Sequence, residues 1–170
     1  MTIRPGAEPP VTLSDPRDLL LGYLDYYRGV IVRKLDGLGE DQARLSPLPS
    51  GWTPAELLCH LAAMERRWIR WGFLGEDLPD PWADRGPGDR WTAPGSVAEY
   101  TGLLGEGADL TRSVVEKNAL DTVAATGGRF GGGEPAPTLG WILFHVLQEY
   151  ARHAGQLDAV RELIDGATGE

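Results

Sequence analysis

Apolar residues recur at steps of three and four in four separate stretches of this chain. That spacing is the period of a helix with one buried face. The first stretch carries Leu20, Leu24, Tyr27, Ile31 and Leu35. Ser14-Asp15-Pro16 opens it, because a small oxygen-bearing side chain caps free backbone N–H groups and Pro is tolerated in the first turn. Gly37 and Gly39 close it. The second stretch opens on Thr53-Pro54-Ala55-Glu56 and runs through Leu57, His60, Leu61, Met64, Trp68 and Trp71 to Gly72 or Gly75. Its Thr and Glu, three apart, form a capping box. The third opens on a second capping box, Ser96 to Glu99, and carries Val97, Tyr100, Leu104, Ala108, Leu110 and Val114. It also holds Gly102, Gly105 and Gly107. Each costs about 1 kcal/mol against Ala inside a helix, so close packing against a neighbour is the expected reason for them. The fourth, Leu139 to Leu163, is the longest; Thr138 caps it and it closes near Asp165 and Gly166.

The intervening segments read as loops. Residues 1–13 hold three prolines and little pattern, which predicts an extended arm. Glu40 to Leu45 is long enough for one short turn. After Gly75 come Pro79, Pro81, Pro87 and Pro94 with Trp82 and Trp91 between them. This predicts a long surface loop anchored by two indoles, and loops of that length are often functional. The stretch 123–130 carries the one weak strand signal. The Gly-rich run at 127–133 lacks the Gly-Lys-Ser/Thr ending of a phosphate loop and reads as a connector. We find no internal repeat and no change in composition that marks a second domain. The expectation is an all-α fold: one domain over residues 1–170, a four-helix bundle with long connecting loops.

Composition narrows the partners. The formal net charge is -9, from 16 basic and 25 acidic side chains, and the only lysines are Lys34 and Lys117. Binding phosphate backbones or anionic lipid needs a surplus of Lys and Arg, so we expect neither nucleic acid nor membrane as a partner. No apolar run approaches the ~20 residues of a membrane span. The first residues have no apolar core like that of a signal peptide. The single cysteine, Cys59, rules out an internal disulfide and fits a reducing compartment. A cytoplasmic location is therefore expected.

The chemistry is concentrated on the fourth helix. His145, Glu149 and His153 lie on its apolar side. Residues four apart share a face one turn above the other. Glu149 can thus share an ion with either His145 or His153. The two histidines cannot share one, being separated by about 12 Å of helix rise. His60, the remaining histidine, sits among Leu57, Leu61 and Met64 on the inward side of the second helix. Two imidazoles and a carboxylate suit zinc, nickel or iron, and three protein ligands leave positions open for chemistry. A di-iron site needs Glu-x-x-His twice, and the zincin pattern is missing.

The segment TLGWILFHVLQEYARHAGQLDAVRE, with its Glu149-Tyr150-Ala151-Arg152-His153 motif, resembles the last helix of the DinB/YfiT-like superfamily. It is most similar to the DUF664 branch, related to mycothiol-dependent maleylpyruvate isomerase. SGWTPAELLCHLAAMERRW resembles that branch's second helix, with Trp52-Thr53-Pro54 leading to His60-Leu61, then Glu65 and Trp68. The resemblance implies a left-handed four-helix bundle and a divalent metal, usually zinc, held by His60, Glu149 and His153. DinB proteins of the older type have His as the middle ligand; Glu149 matches the mycothiol-dependent branch. Gln156 stands where close DUF664 relatives often have His. His145 then becomes a packed or supporting residue beside the metal. The larger isomerase carries a second domain, which we do not expect here. The implied activity is transfer of a low-molecular-weight thiol such as mycothiol to a small electrophile, or thiol-dependent isomerisation. Metal-activated water, for hydrolysis, and a non-catalytic stress-response bundle are the alternatives. A homodimer is implied by family habit alone.

Other residues read more plainly. Cys59 points away from His60 at ~100° per residue and is expected as a small buried apolar group. Glu65 is expected to pair with an arginine. Arg152 and Arg161 are candidates for holding a carboxylate of thiol or substrate, with surface ion pairs as the default. The six tryptophans are expected as core and loop anchors, with Trp71, Trp82 and Trp91 as candidates for the rim of the site.

Overall fold

The structure is a computed structural model that describes residues 7–133 and 135–168. The expected arm falls partly outside the described residues; within it, Leu13 N–H bonds back to the Pro10 carbonyl at 2.9 Å. Four long helices form where the apolar period places them. Helix α1 is Pro16–Leu35, with Asp15 accepting from the Arg17 and Asp18 N–H groups. A single turn, α2, spans Glu40–Ala43. Helix α3 is Pro54–Arg66, started by the Thr53/Glu56 capping box. Helix α4 is Val97–Lys117, started by the Ser96/Glu99 box. Helix α5 is Leu139–Asp165, capped by Thr138 and ended by Gly166 in the left-handed region. In cross-section α1 packs on α5 and α4, and α3 packs on α4 and α5. Leu24, Ile31, Leu57, Leu61, Leu104 and Leu143 meet fully buried at the centre. Among the described residues there is no β-strand, and the 123–130 signal reduces to one isolated bridge, Val123 to Thr138.

Two departures from the expected pattern shape the site. First, α3 does not simply end. Arg67–Phe73 continue it as a π-helical segment, whose wider turn is shown by the Leu74 N–H reaching the Ile69 carbonyl at 2.9 Å. Such widened turns cluster at functional sites. The connector at 127–133 folds back onto it. Gly128 has φ +49°, and a Cβ there would sit 2.3 Å from the Trp71 carbonyl oxygen, so only glycine fits. Second, the long proline loop is tied into a strap. Gly86 N–H bonds to the Arg90 carbonyl at 2.8 Å and Thr92 N–H to that of Asp84 at 2.9 Å. This sets Asp84 and Trp91 at the base of one turn. Trp91 anchors the strap as expected, whereas Trp82 remains 42% exposed.

Close packing does not explain all the α4 glycines. Gly107 lies against Glu65, but a Cβ at Gly102 would meet nothing within 4 Å. Gly102→Ala is therefore expected to stabilise the protein by about 0.5–1 kcal/mol, read as a rise in the denaturant midpoint.

Candidate metal centre

His60 on α3 and His153 on α5 are both buried, each only 6% exposed. Buried polar groups need partners, and each ring uses Nδ1 to find one. His60 Nδ1 lies 2.8 Å from Asp84 Oδ2 on the strap. A carboxylate only accepts, so Nδ1 carries the proton. His153 Nδ1 lies 2.8 Å from Gln156 Oε1, one turn further along α5. Both rings therefore turn Nε2 toward the same carboxylate. His60 Nε2 is 3.8 Å from Glu149 Oε2, and His153 Nε2 is 3.4 Å from it. Ligand atoms of the three residues lie within 4.8 Å of one another. The neighbouring imidazoles, His153 first and then His60, hold the Glu149 carboxyl well below the usual carboxylate range.

This donor set fits a divalent cation. With Nδ1 protonated, each Nε2 presents a lone pair, and the carboxylate adds negative charge between them. Three electron-pair donors converge at these separations. Ligands ~2.0–2.2 Å from a tetrahedral ion stand roughly 3.4 Å apart, close to what is seen. Each histidine also has the outer hydrogen bond that metal-binding imidazoles use to fix their tautomer.

The surroundings are aromatic. Trp91 stacks on the His60 ring at 4.2 Å between centroids and meets His153 edge-on at 5.4 Å. Trp52 backs Trp91 at 6.2 Å. Asp84 is fully buried. Burial pushes its carboxyl up, but bonds from His60 and Arg67 outweigh that and hold it below its ordinary value.

Of five residues expected at the site, the fold brings three together. His145, expected as a packed or supporting residue, lies parallel to Trp141 at 5.5 Å and tilts against Trp68 at 4.4 Å. Burial lowers its pKa, against the charge of Glu149 one turn away. Arg152 is exposed and makes no ion pair among the described residues. Arg161 binds Asp165 and the Lys34 and Asp36 carbonyls, so it serves the α1–α5 junction. Cys59 is buried, and burial pushes its thiol up to about 11. Among the rim candidates, Trp91 touches the site, while Trp71 and Trp82 pack on each other at 6.4 Å.

A family model described as mycothiol S-transferase matches residues 19–166. The chain belongs to the mycothiol S-transferase family. That span takes in all but the first turn of α1, the other three long helices, the strap and the converging triad of this family member. A crystal structure of a conserved protein from Enterococcus faecalis is similar in fold, with a TM-score of 0.65 and 18% identity. The similarity covers 91% of this chain and 100% of that one. Among curated proteins no significant match is found. No helix of the described residues is long and apolar enough to cross a membrane.

Asp84 and Arg67 were not foreseen as parts of the site. The length of the proline loop was the only signal for Asp84. Nothing local separates it from Asp77, Asp80 or Asp89.

Proposed function

We propose that this protein is a metal-dependent transferase that adds a low-molecular-weight thiol, such as mycothiol, to a small electrophile. His60, Glu149 and His153 are the ligands of a zinc-class ion in this reading. The observation that carries it is the convergence of two Nε2 atoms and one carboxylate with both Nδ1 atoms already bonded. Membership of the family supports the thiol as cosubstrate. A divalent cation lowers the pKa of a thiol or water that it coordinates, supplying a nucleophile near neutral pH.

The chain's own residues supply the setting. Asp84 and Gln156 hold the imidazoles in one tautomer and one orientation. Glu149, kept anionic, offsets part of the cation's charge. Trp91 covers one face of His60 and keeps water from that side. His145, packed on Trp68 and Trp141, and the exposed Arg152 do not hold the ion in this reading.

Metal-loaded protein is expected to consume a small electrophile only when a thiol is supplied; the product mass should be the sum of thiol and electrophile for an unsaturated one, and that sum less HCl for a chlorinated one, with chloride released. Turnover of the same electrophile by water alone would replace the transferase reading with hydrolysis.

A further inference from the structure

Seven of the thirteen described arginines meet a carboxylate. Arg67 pairs with Asp84, Arg70 with Glu76, Arg85 with Asp89 and Arg112 with Asp25. Arg129, carried by the connector that folds onto the π-helical segment, is different. Among the described residues no carboxylate or carbonyl accepts from its guanidinium. Its only contacts of that kind are ring faces: Trp68 at 4.2 Å, Trp71 at 5.5 Å and Trp82 at 6.0 Å. Trp82 is shared. Arg67 lies 4.5 Å from its centroid and Arg85 5.6 Å. The Nε of Arg85 is buried with no hydrogen-bond partner. Three guanidiniums thus surround one half-exposed indole, and among the described residues two of them, Arg129 and Arg85 at its Nε, keep unused donors. Burial and the charge of Arg67 both lower the Arg129 pKa, as expected for crowded like charges.

Within the cluster Arg67 and Arg85 each have a carboxylate, and Arg129 has none among the described residues. A guanidinium fork matches a carboxylate in shape, and flat indoles suit an unsaturated or aromatic body beside it. The cluster is linked to the triad through one residue on each of two sides. Trp68 touches both Arg129 and His145, and Arg67 grips the Asp84 that holds His60. Trp68 lies eight residues beyond His60, on the order of 10 Å along the helix.

We propose that Arg129, backed by Trp68, Trp71 and Trp82, is a binding subsite for the carboxylate of an anionic, unsaturated or aromatic electrophile whose reacting carbon reaches the His60–Glu149–His153 triad. This deepens the transferase reading by naming its substrate class, and for the reacting end it rests on that reading.

The binding half can be tested without metal or thiol. Chelator-treated protein is titrated with benzoate and, separately, with its uncharged isostere benzamide, followed by calorimetry or ligand-observed NMR. Benzoate is expected to bind at least about tenfold more tightly than benzamide, with affinity falling as salt rises. Arg129→Gln is expected to erase that preference, and Arg129→Lys to keep part of it. Equal affinity for the two probes overturns the subsite, and so does an unchanged preference in Arg129→Gln. The comparison of probes on the unsubstituted protein stands even if a variant folds poorly. Failure of thiol-dependent turnover would leave this binding result untouched, so the two proposals fail separately.

Discussion

Protein carrying His153→Ala is expected to lose its metal, while Asp84→Asn keeps it with reduced affinity. The unsubstituted chain, purified without chelator, should hold about one zinc-class ion. Removing His153 deletes one of three donor groups that meet within 4.8 Å. The remaining His60 and Glu149 ligand atoms are 3.8 Å apart and leave most of the coordination shell to water. Asp84 lies one step further out. Its carboxylate accepts the His60 Nδ1 proton at 2.8 Å, and Asn keeps one acceptor oxygen but loses the charge. Outer hydrogen-bond partners of metal-binding histidines contribute about 10–100-fold in affinity, so Asp84→Asn should fall in that range and His153→Ala below it. Elemental analysis and competition with a chromophoric chelator measure both. A His153→Ala protein with a full ion would overturn the ligand assignment. Equal losses in the two variants would mean that Asp84 acts on folding rather than through His60.

How much of this was legible in the sequence depends on the range of the interaction. Helix starts were legible because capping is local: Thr53 with Glu56 and Ser96 with Glu99 are three residues apart and hydrogen-bond as their types predict. The triad was legible in part. Glu149 and His153 share a face by helix geometry alone, whereas the choice of His153 over His145 came from the resemblance. In the structure that choice coincides with a ring-stacking preference, since His145 is taken up by Trp141 and Trp68. Asp84 was illegible because its role is set by a strap that brings residue 84 back onto α3, 24 residues from His60. The π-helical widening at Arg67–Phe73 was also hidden. The 127–133 connector closes on this segment at Trp71, an approach that only Gly128 permits. Glu65 was expected to meet an arginine, but not to meet three other helices at once.

That last point predicts the largest loss of stability. Glu65 is 1% exposed, and its two oxygens tie the bundle together. Arg28 of α1 donates to it through Nε at 3.1 Å and through a second guanidinium nitrogen. Thr111 of α4 donates at 2.5 Å and Tyr150 of α5 at 2.6 Å. One carboxylate on α3 therefore contacts every other long helix. Glu65→Ala would leave the Arg28 charge buried with only Asp25 beside it at 2.8 Å. Breaking a buried pair from one side costs about 3–5 kcal/mol, because the remaining charge has lost its counter-ion. For a chain of this size each 1 kcal/mol corresponds to roughly 2–4 °C in Tm, so a fall of about 6–20 °C is expected in thermal unfolding. The double variant Arg28→Met/Glu65→Leu separates charge from packing. It removes both ions, and such replacements are often close to neutral. Here the Thr111 and Tyr150 hydroxyls would still lose their acceptor, at about 1–3 kcal/mol for each buried group left unpaired. The double variant should consequently be more stable than Glu65→Ala and less stable than the unsubstituted protein. Tyr150 adjoins Glu149, so its bond to Glu65 also fixes the rotation of α5 that turns Glu149 and His153 toward His60. A Glu65→Ala protein within about 1 kcal/mol of the original would show that the four helices hold their register by apolar packing alone.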